Sequence, residues 1–203
     1  MIEVIFDIET KKLFDQIPDP EKVEDLGISI VSAYRRVLDH NNGMEVEGEM
    51  KSFWEGELPA LKEWFIGADR IIGFNSLKFD VPVLAPLIGG REFVRLPHFD
   101  ILDKVKQVLG FRVGLNALAK ETLGAKKLAD GLMAVEWWNK GDEESLKKLR
   151  EYCEMDVAVT RDLYDHVYKG GKLRFMNKWN ELKEFAVDFS YPKKEEKAQL
   201  GLF

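Results

Sequence analysis

A chain of 203 residues that is 45% hydrophobic and 33% charged can close one apolar core without disulfides or a structural metal, so general disorder is excluded. The net charge of -6 counts against a protein that wraps nucleic acid through a uniformly basic surface, but it leaves room for an acid cluster that divalent cations would neutralise. No stretch reaches the roughly 18 consecutive apolar residues of a spanning helix, the opening MIEVIFDIET lacks a basic start, and Cys153 is the sole cysteine; a cytoplasmic chain with no membrane association and no internal disulfide is expected.

Residues 2–8 form a β-rich run ending in an Asp, and 27–38 favour a second strand. His40-Asn41-Asn42-Gly43 supplies hairpin turn chemistry, and 44–50 alternate like a half-exposed third strand, which predicts an antiparallel meander. The period then changes. Leu58, Leu61, Trp64 and Phe65 recur at helical spacing, 70–74 form a short buried strand, 81–88 a helix, and 96–101 a fifth strand. Helical patterns follow around 103–109, 115–123 and 130–138, and a long helix from about 142 to 168 stops at Gly170-Gly171. Three strands in a meander, then two strands with helical crossovers, predict an α/β fold with one mixed five-stranded sheet flanked by helices. The expected organisation is a main unit over 1–170, an extension over 171–190 whose aromatic-rich 173–189 read as helix, strand or both, and a flexible tail over 191–203. Short basic runs (Lys104, Lys106 and Arg112; Lys126 and Lys127; Lys147, Lys148 and Arg150) read mainly as solvated helix faces.

Three acidic segments stand out. Asp7 and Glu9 are two apart on a predicted strand, so both project to one face, and Ile5, Phe6 and Ile8 argue that this face lies in or near the core. Buried carboxylates tend to neutralise unless a cation pairs them, which favours a divalent metal; a strand end reaching solvent is the plain alternative. Gly73 to Asp80 is a buried strand ending in turn residues that delivers Asp80 as a helix begins, and Asp80 reads equally as a helix N-cap. Tyr152 and Asp156, four apart, share one helix face a turn apart; the alternative is a Tyr at the core edge beside an exposed Asp.

Taken together and in order, these segments resemble the motifs of the DEDD superfamily of 3′-5′ exonucleases, with Asp7-Ile8-Glu9-Thr10 like the first, Asn75 to Asp80 like the second, and Tyr152 with Asp156 like the third. Tyr152 lies four residues before Asp156, and the position five before it is Glu151 and not His, so the chain resembles the tyrosine (DEDDy) branch. The resemblance implies a ribonuclease H-like fold and hydrolysis of phosphodiester bonds from a single-stranded 3′ end. It also implies two Mg²⁺ or Mn²⁺ ions roughly 3.5 to 4 Å apart. In that scheme Asp7 bridges both ions, Glu9 and Asp156 hold the one that activates water, Asp80 contacts the other through water, and Tyr152 orients the attacking water. Thr10, Asn75 and Phe79 would contact the terminal nucleotide, Phe79 by stacking, although a core aromatic fits that position as well. His98 and Asp100 read as structural, because a set of hard oxygens does not require His.

Gln199-Leu200-Gly201-Leu202-Phe203 resembles the motif by which bacterial replication and repair proteins bind the sliding clamp; Gln199, Leu200, Leu202 and Phe203 would be the contacts. A tail folded back on its own domain, or a fortuitous match, is the alternative. The expected activity is therefore a DNA 3′-5′ exonuclease of replication or repair. An exoribonuclease with the same site and a non-catalytic nucleic-acid or clamp-binding module are the competing readings.

Overall fold

A computed structural model describes residues 1–125 and 131–191. Three strands lead: β1 (Ile2–Thr10), β2 (Ile28–Leu38) and β3 (Glu45–Trp54). They are followed by α1 (Leu58–Phe65), β4 (Arg70–Gly73), α2 (Asp80–Ile88), the short α3 (Arg91–Val94) and β5 (His98–Asp100). Four further helices, α4 (Ile101–Leu109), α5 (Leu115–Leu123), α6 (Gly131–Lys140) and α7 (Glu143–Tyr168), precede a hairpin of β6 (Leu173–Met176) and β7 (Leu182–Phe185). The large sheet has the order β3-β2-β1-β4-β5, antiparallel through β1 and parallel from β1 to β5, which is the mixed α/β sheet expected from the sequence. No helix among the described residues is long and apolar enough to cross a membrane.

Alternation along β1 sets the layers. Val4, Phe6 and Ile8 pack against Leu61, Phe65, Leu84 and Ile88 of α1 and α2 on one face. Ile5 points the other way, into a core with Ile72, Val105, Leu118, Val157 and Tyr164 from β4, α4, α5 and α7. Odd-numbered β1 residues, among them Glu3, Asp7 and Glu9, therefore face α7. This corrects the sequence reading in one respect: Phe6 and Ile8 belong to the opposite face, and of the three apolar neighbours only Ile5 shares the side of the acids.

Helix α7 runs 26 residues, about 39 Å, along that face. Its start is well specified. The Asp142 side chain accepts from the Ser145 amide at 2.8 Å, and Glu143 and Glu144 sit in the first turn, where the helix dipole favours negative charge.

A buried polar lock fixes the far end. Glu3 is 0% exposed and accepts from Arg36 Nη2 at 2.7 Å and from the Tyr164 and Tyr191 hydroxyls at 3.0 and 2.6 Å. Arg36 also donates to Asp165 at 2.6 and 2.9 Å, joining β2 to α7. Arg70 donates to Tyr164 at 2.8 Å and to the Phe189 and Ser190 carbonyls at 2.6 and 2.9 Å. Tyr191, assigned by its sequence to the mobile tail, is thus anchored, its ring 3.6 Å from the Arg70 guanidinium. The ambiguous stretch 173–189 is the β6–β7 hairpin followed by a return to the core at Phe189. Gln199, Leu200, Leu202 and Phe203, like Lys126 and Lys127, lie outside the described residues.

Candidate active site

The half of β1 opposite the polar lock carries the acids. Asp7, Glu9 and Asp156 each offer one carboxylate oxygen, and these atoms all lie within 4.8 Å of one another. Strand register puts Asp7 opposite Ser32 and Glu9 opposite Ile30, with a bulge between Glu9 and Thr10 that ends the regular pairing at the site. Asp80 stands outside this three-acid group but lines the same cleft, at the first turn of α2. It is not the N-cap of that helix: Phe79 holds the cap position, and no side chain caps the turn.

The loop that delivers Asp80 is built tightly. Asp100 accepts from the backbone amides of Asn75 at 2.9 Å, Leu77 at 3.0 Å and Asp103 at 3.2 Å. Asn75 sits at φ 65, a left-handed conformation that Asn tolerates, and its side-chain oxygen accepts from Arg112 at 3.0 Å. Gly73 leaves space for the loop to fold back, since a Cβ there would fall 2.5 Å from that of Ser76. Asp100 accordingly positions the loop, and His98, neutral through burial with Nε2 2.8 Å from the Phe93 carbonyl, is part of the core.

Crowding makes the acids hard to ionise without a counter-charge. Burial pushes Asp7 well above the usual carboxylate range, and Asp80, Asp156 and Glu9 push it further. Glu9 is raised by burial, then by Asp156 and Asp80. Asp80 is pushed up to about 7, chiefly by burial, and Asp156 to about 6, chiefly by burial against the opposing pull of the Tyr152 hydroxyl. Among the described residues no Lys or Arg bridges any of the four, and the buried Asp156 Oδ1 has no hydrogen-bond partner. Hard oxygen donors, an orphaned buried oxygen and mutual repulsion fit divalent cations, which remove the repulsion and accept carboxylate ligands.

Tyr152 leans its ring edge on Trp137, centroids 6.1 Å apart, with its hydroxyl toward Asp156. Burial, then Asp156, Glu9 and Asp7, drive the phenol far above its ordinary value, so it keeps its proton. Thr10, Asn75 and Phe79 line the cleft as well. The sequence reading missed Phe14, whose ring lies 5.9 Å from that of Phe79 across the cleft wall, and Lys12, also on the lining. The Lys-Lys-Leu-Phe run directly after the first acidic motif was the available signal. Cys153 of α7 is buried, and its thiol reaches Asp7, with Sγ 3.5 Å from the carbonyl oxygen and 4.0 Å from Oδ2.

Residues 4–168 match the model of the RNase_H superfamily, and the chain belongs to that superfamily. The match runs from β1 through α7 and so contains all four acids and Tyr152, while the β6–β7 hairpin lies beyond it. No curated protein matches the chain. Among solved structures it is similar to the zinc-ion-bound form of the E. coli ExoI–ssDNA complex, with a TM-score of 0.43 and 14% identity. That alignment covers 83% of this chain and 43% of the other, so the chain spans less than half of that protein's length.

Proposed function

We propose that this chain is a divalent-metal-dependent 3′-5′ exonuclease of the DEDDy type that hydrolyses single-stranded DNA from its 3′ end. The observation that carries the reading is the convergence of Asp7, Glu9 and Asp156 within 4.8 Å, from two elements far apart in sequence, with Tyr152 one helical turn from Asp156. Asp7, Glu9 and Asp156 would hold the cations, with Asp80 on the neighbouring cleft wall. Two bound Mg²⁺ or Mn²⁺ ions supply charge neutralisation for the phosphate and a lowered water pKa. Tyr152, held protonated, contributes a positioned O–H donor and no base. Phe79 and Phe14 form an aromatic wall for a terminal base, and Thr10 and Asn75 present polar groups beside it.

5′-labelled DNA and RNA strands incubated with Mg²⁺ or Mn²⁺ test this. A metal-dependent ladder on DNA is expected, with Tyr152→Phe losing far less turnover than Asp156→Ala. A ladder on RNA alone would favour the exoribonuclease reading, and none on either strand would sink catalysis. The acid set, complete in order and type, weighs against a non-catalytic module.

A cytoplasmic role in replication or repair belongs to the same proposal, through the C-terminal QLGLF, whose support comes from sequence alone. Deleting residues 199–203 is expected to abolish capture by an immobilised bacterial sliding clamp; unchanged capture would refute the tail's role.

A further inference from the structure

The β6–β7 hairpin, which lies beyond the superfamily match, forms one wall of a second groove. Its walls are Phe111 and Arg112 from the turn between α4 and α5, and Phe175, Met176, Lys178 and Trp179 from the hairpin. Phe111 is 50% and Trp179 69% exposed, a large apolar area to leave in water. Phe111 meets Phe175 edge to face at 5.8 Å. The turn carrying Trp179 is closed by the Asn177 side chain, which accepts from the Trp179 and Glu181 amides at 2.9 Å. Thr122 Oγ1 accepts from the Arg174 amide at 2.9 Å and ties the hairpin to α5.

Charge sorts the partners. The neighbouring cations Lys172, Arg174 and Lys183 are each bridged to Glu184 or Glu181. Arg112 and Lys178 have no carboxylate partner of that kind among the described residues; Arg112 donates to Asn75 and Lys178 lies 4.5 Å over the Trp179 ring. Arg112 is exposed, but it lies on the turn between α4 and α5 and not on a helix face. Its bond to Asn75, on the lining of the acid cleft, places the groove beside that cleft.

We propose that this groove carries the single strand upstream of the terminal nucleotide, with Phe111 and Trp179 as stacking platforms for bases and Arg112 and Lys178 against phosphates. Exposed rings alternating with unbridged cations suit a strand that offers π-faces and phosphates in turn, and suit a neutral apolar partner less well. The assignment rests on the nuclease reading for the direction of the strand, but the binding itself can be measured apart from cleavage.

The test uses fluorescence anisotropy with the full chain and cleavage-resistant phosphorothioate strands of 20 and 3 nucleotides, in dT and U forms, alongside a cleavage assay of the wild type. Trp179→Ala should weaken binding of the 20-mer about tenfold or more and of the 3-mer at least about fivefold less, with Trp179→Phe restoring most of the affinity. Lys178→Gln should flatten the dependence of log affinity on log salt by about 0.7. Equal losses on both lengths, or none, would overturn the proposal. So would a change in sedimentation with no change in strand affinity, which would assign the face to a second copy. A wild type that binds through Trp179 without cleaving would refute the nuclease reading and leave the groove standing; one that cleaves while Trp179→Ala binds normally would do the reverse.

Discussion

Asp7→Asn is expected to cut turnover about a thousandfold or more while raising the melting temperature of the metal-free protein. The two effects share a cause. Asp7 lies among three other acids, and its carboxylate is held well above its ordinary pKa first by burial and then by Asp80, Asp156 and Glu9. If Asp7 holds metal as proposed, its loss removes several kcal/mol of transition-state stabilisation, and about 4 kcal/mol corresponds to about a thousandfold. Without metal, the same carboxylate opposes folding. A raised folded-state pKa means that these acids bind protons more tightly in the native chain than in the unfolded one, so their contribution to stability is fullest below about pH 4 and falls as pH rises. With Asp156 pushed up to about 6 and Asp80 to about 7, the loss should extend through pH 7. Asp7→Asn removes one charge from the cluster and should flatten that fall. A gain of about 1 kcal/mol at neutral pH, or about 2–4 °C, is expected by scanning fluorimetry in EDTA. Added Mn²⁺ should stabilise the wild type and act less on the variant. A variant that melts lower than the wild type in EDTA at pH 8 would contradict this account.

Glu3→Ala should be the most damaging single change to the fold away from the site. It would leave Arg36, 4% exposed, and the hydroxyls of Tyr164 and Tyr191 without their shared acceptor. Breaking a buried ion pair from one side costs about 3–5 kcal/mol, which for a chain of this size lowers the melting temperature by about 6–20 °C. Glu3→Gln keeps the size and part of the hydrogen bonding and should cost less. Urea unfolding of both variants tests this, and a cost below about 1 kcal/mol for Glu3→Ala would contradict the lock.

Glu3 and Asp7 lie on the same face of the same strand, and their difference shows what the sequence can convey. Period and turn chemistry sufficed for the meander, the crossover helices and the long α7, because each buries one continuous apolar stripe. Asp7, Glu9, Asp80, Tyr152 and Asp156 were nominated by something else, the resemblance of three segments, in order and type, to the DEDD motifs, since each segment alone left a plain alternative open. Periodicity could not separate a buried acid with a cation partner from one without, because Arg36, Tyr164 and Tyr191 approach Glu3 only through tertiary packing. Asp100 was legible only as structural, for the same reason: its particular work is to accept amides from a loop 23 to 25 residues earlier. The hairpin stayed ambiguous because four-residue strands are too short for alternation to stand out, and its turn depends on the side chain of Asn177.

Helix α7 hydrogen-bonds to β1 at Asp7 through Cys153 and at Glu3 through Tyr164. Those contacts are about 11 residues, close to three whole turns, apart, so both fall on one side of the helix. One residue added or lost between them would rotate one contact about 100° from the strand. The acid cluster and the structural anchor are thus kept in phase by helix length, and this stretch of helix can change its residues far more freely than their number.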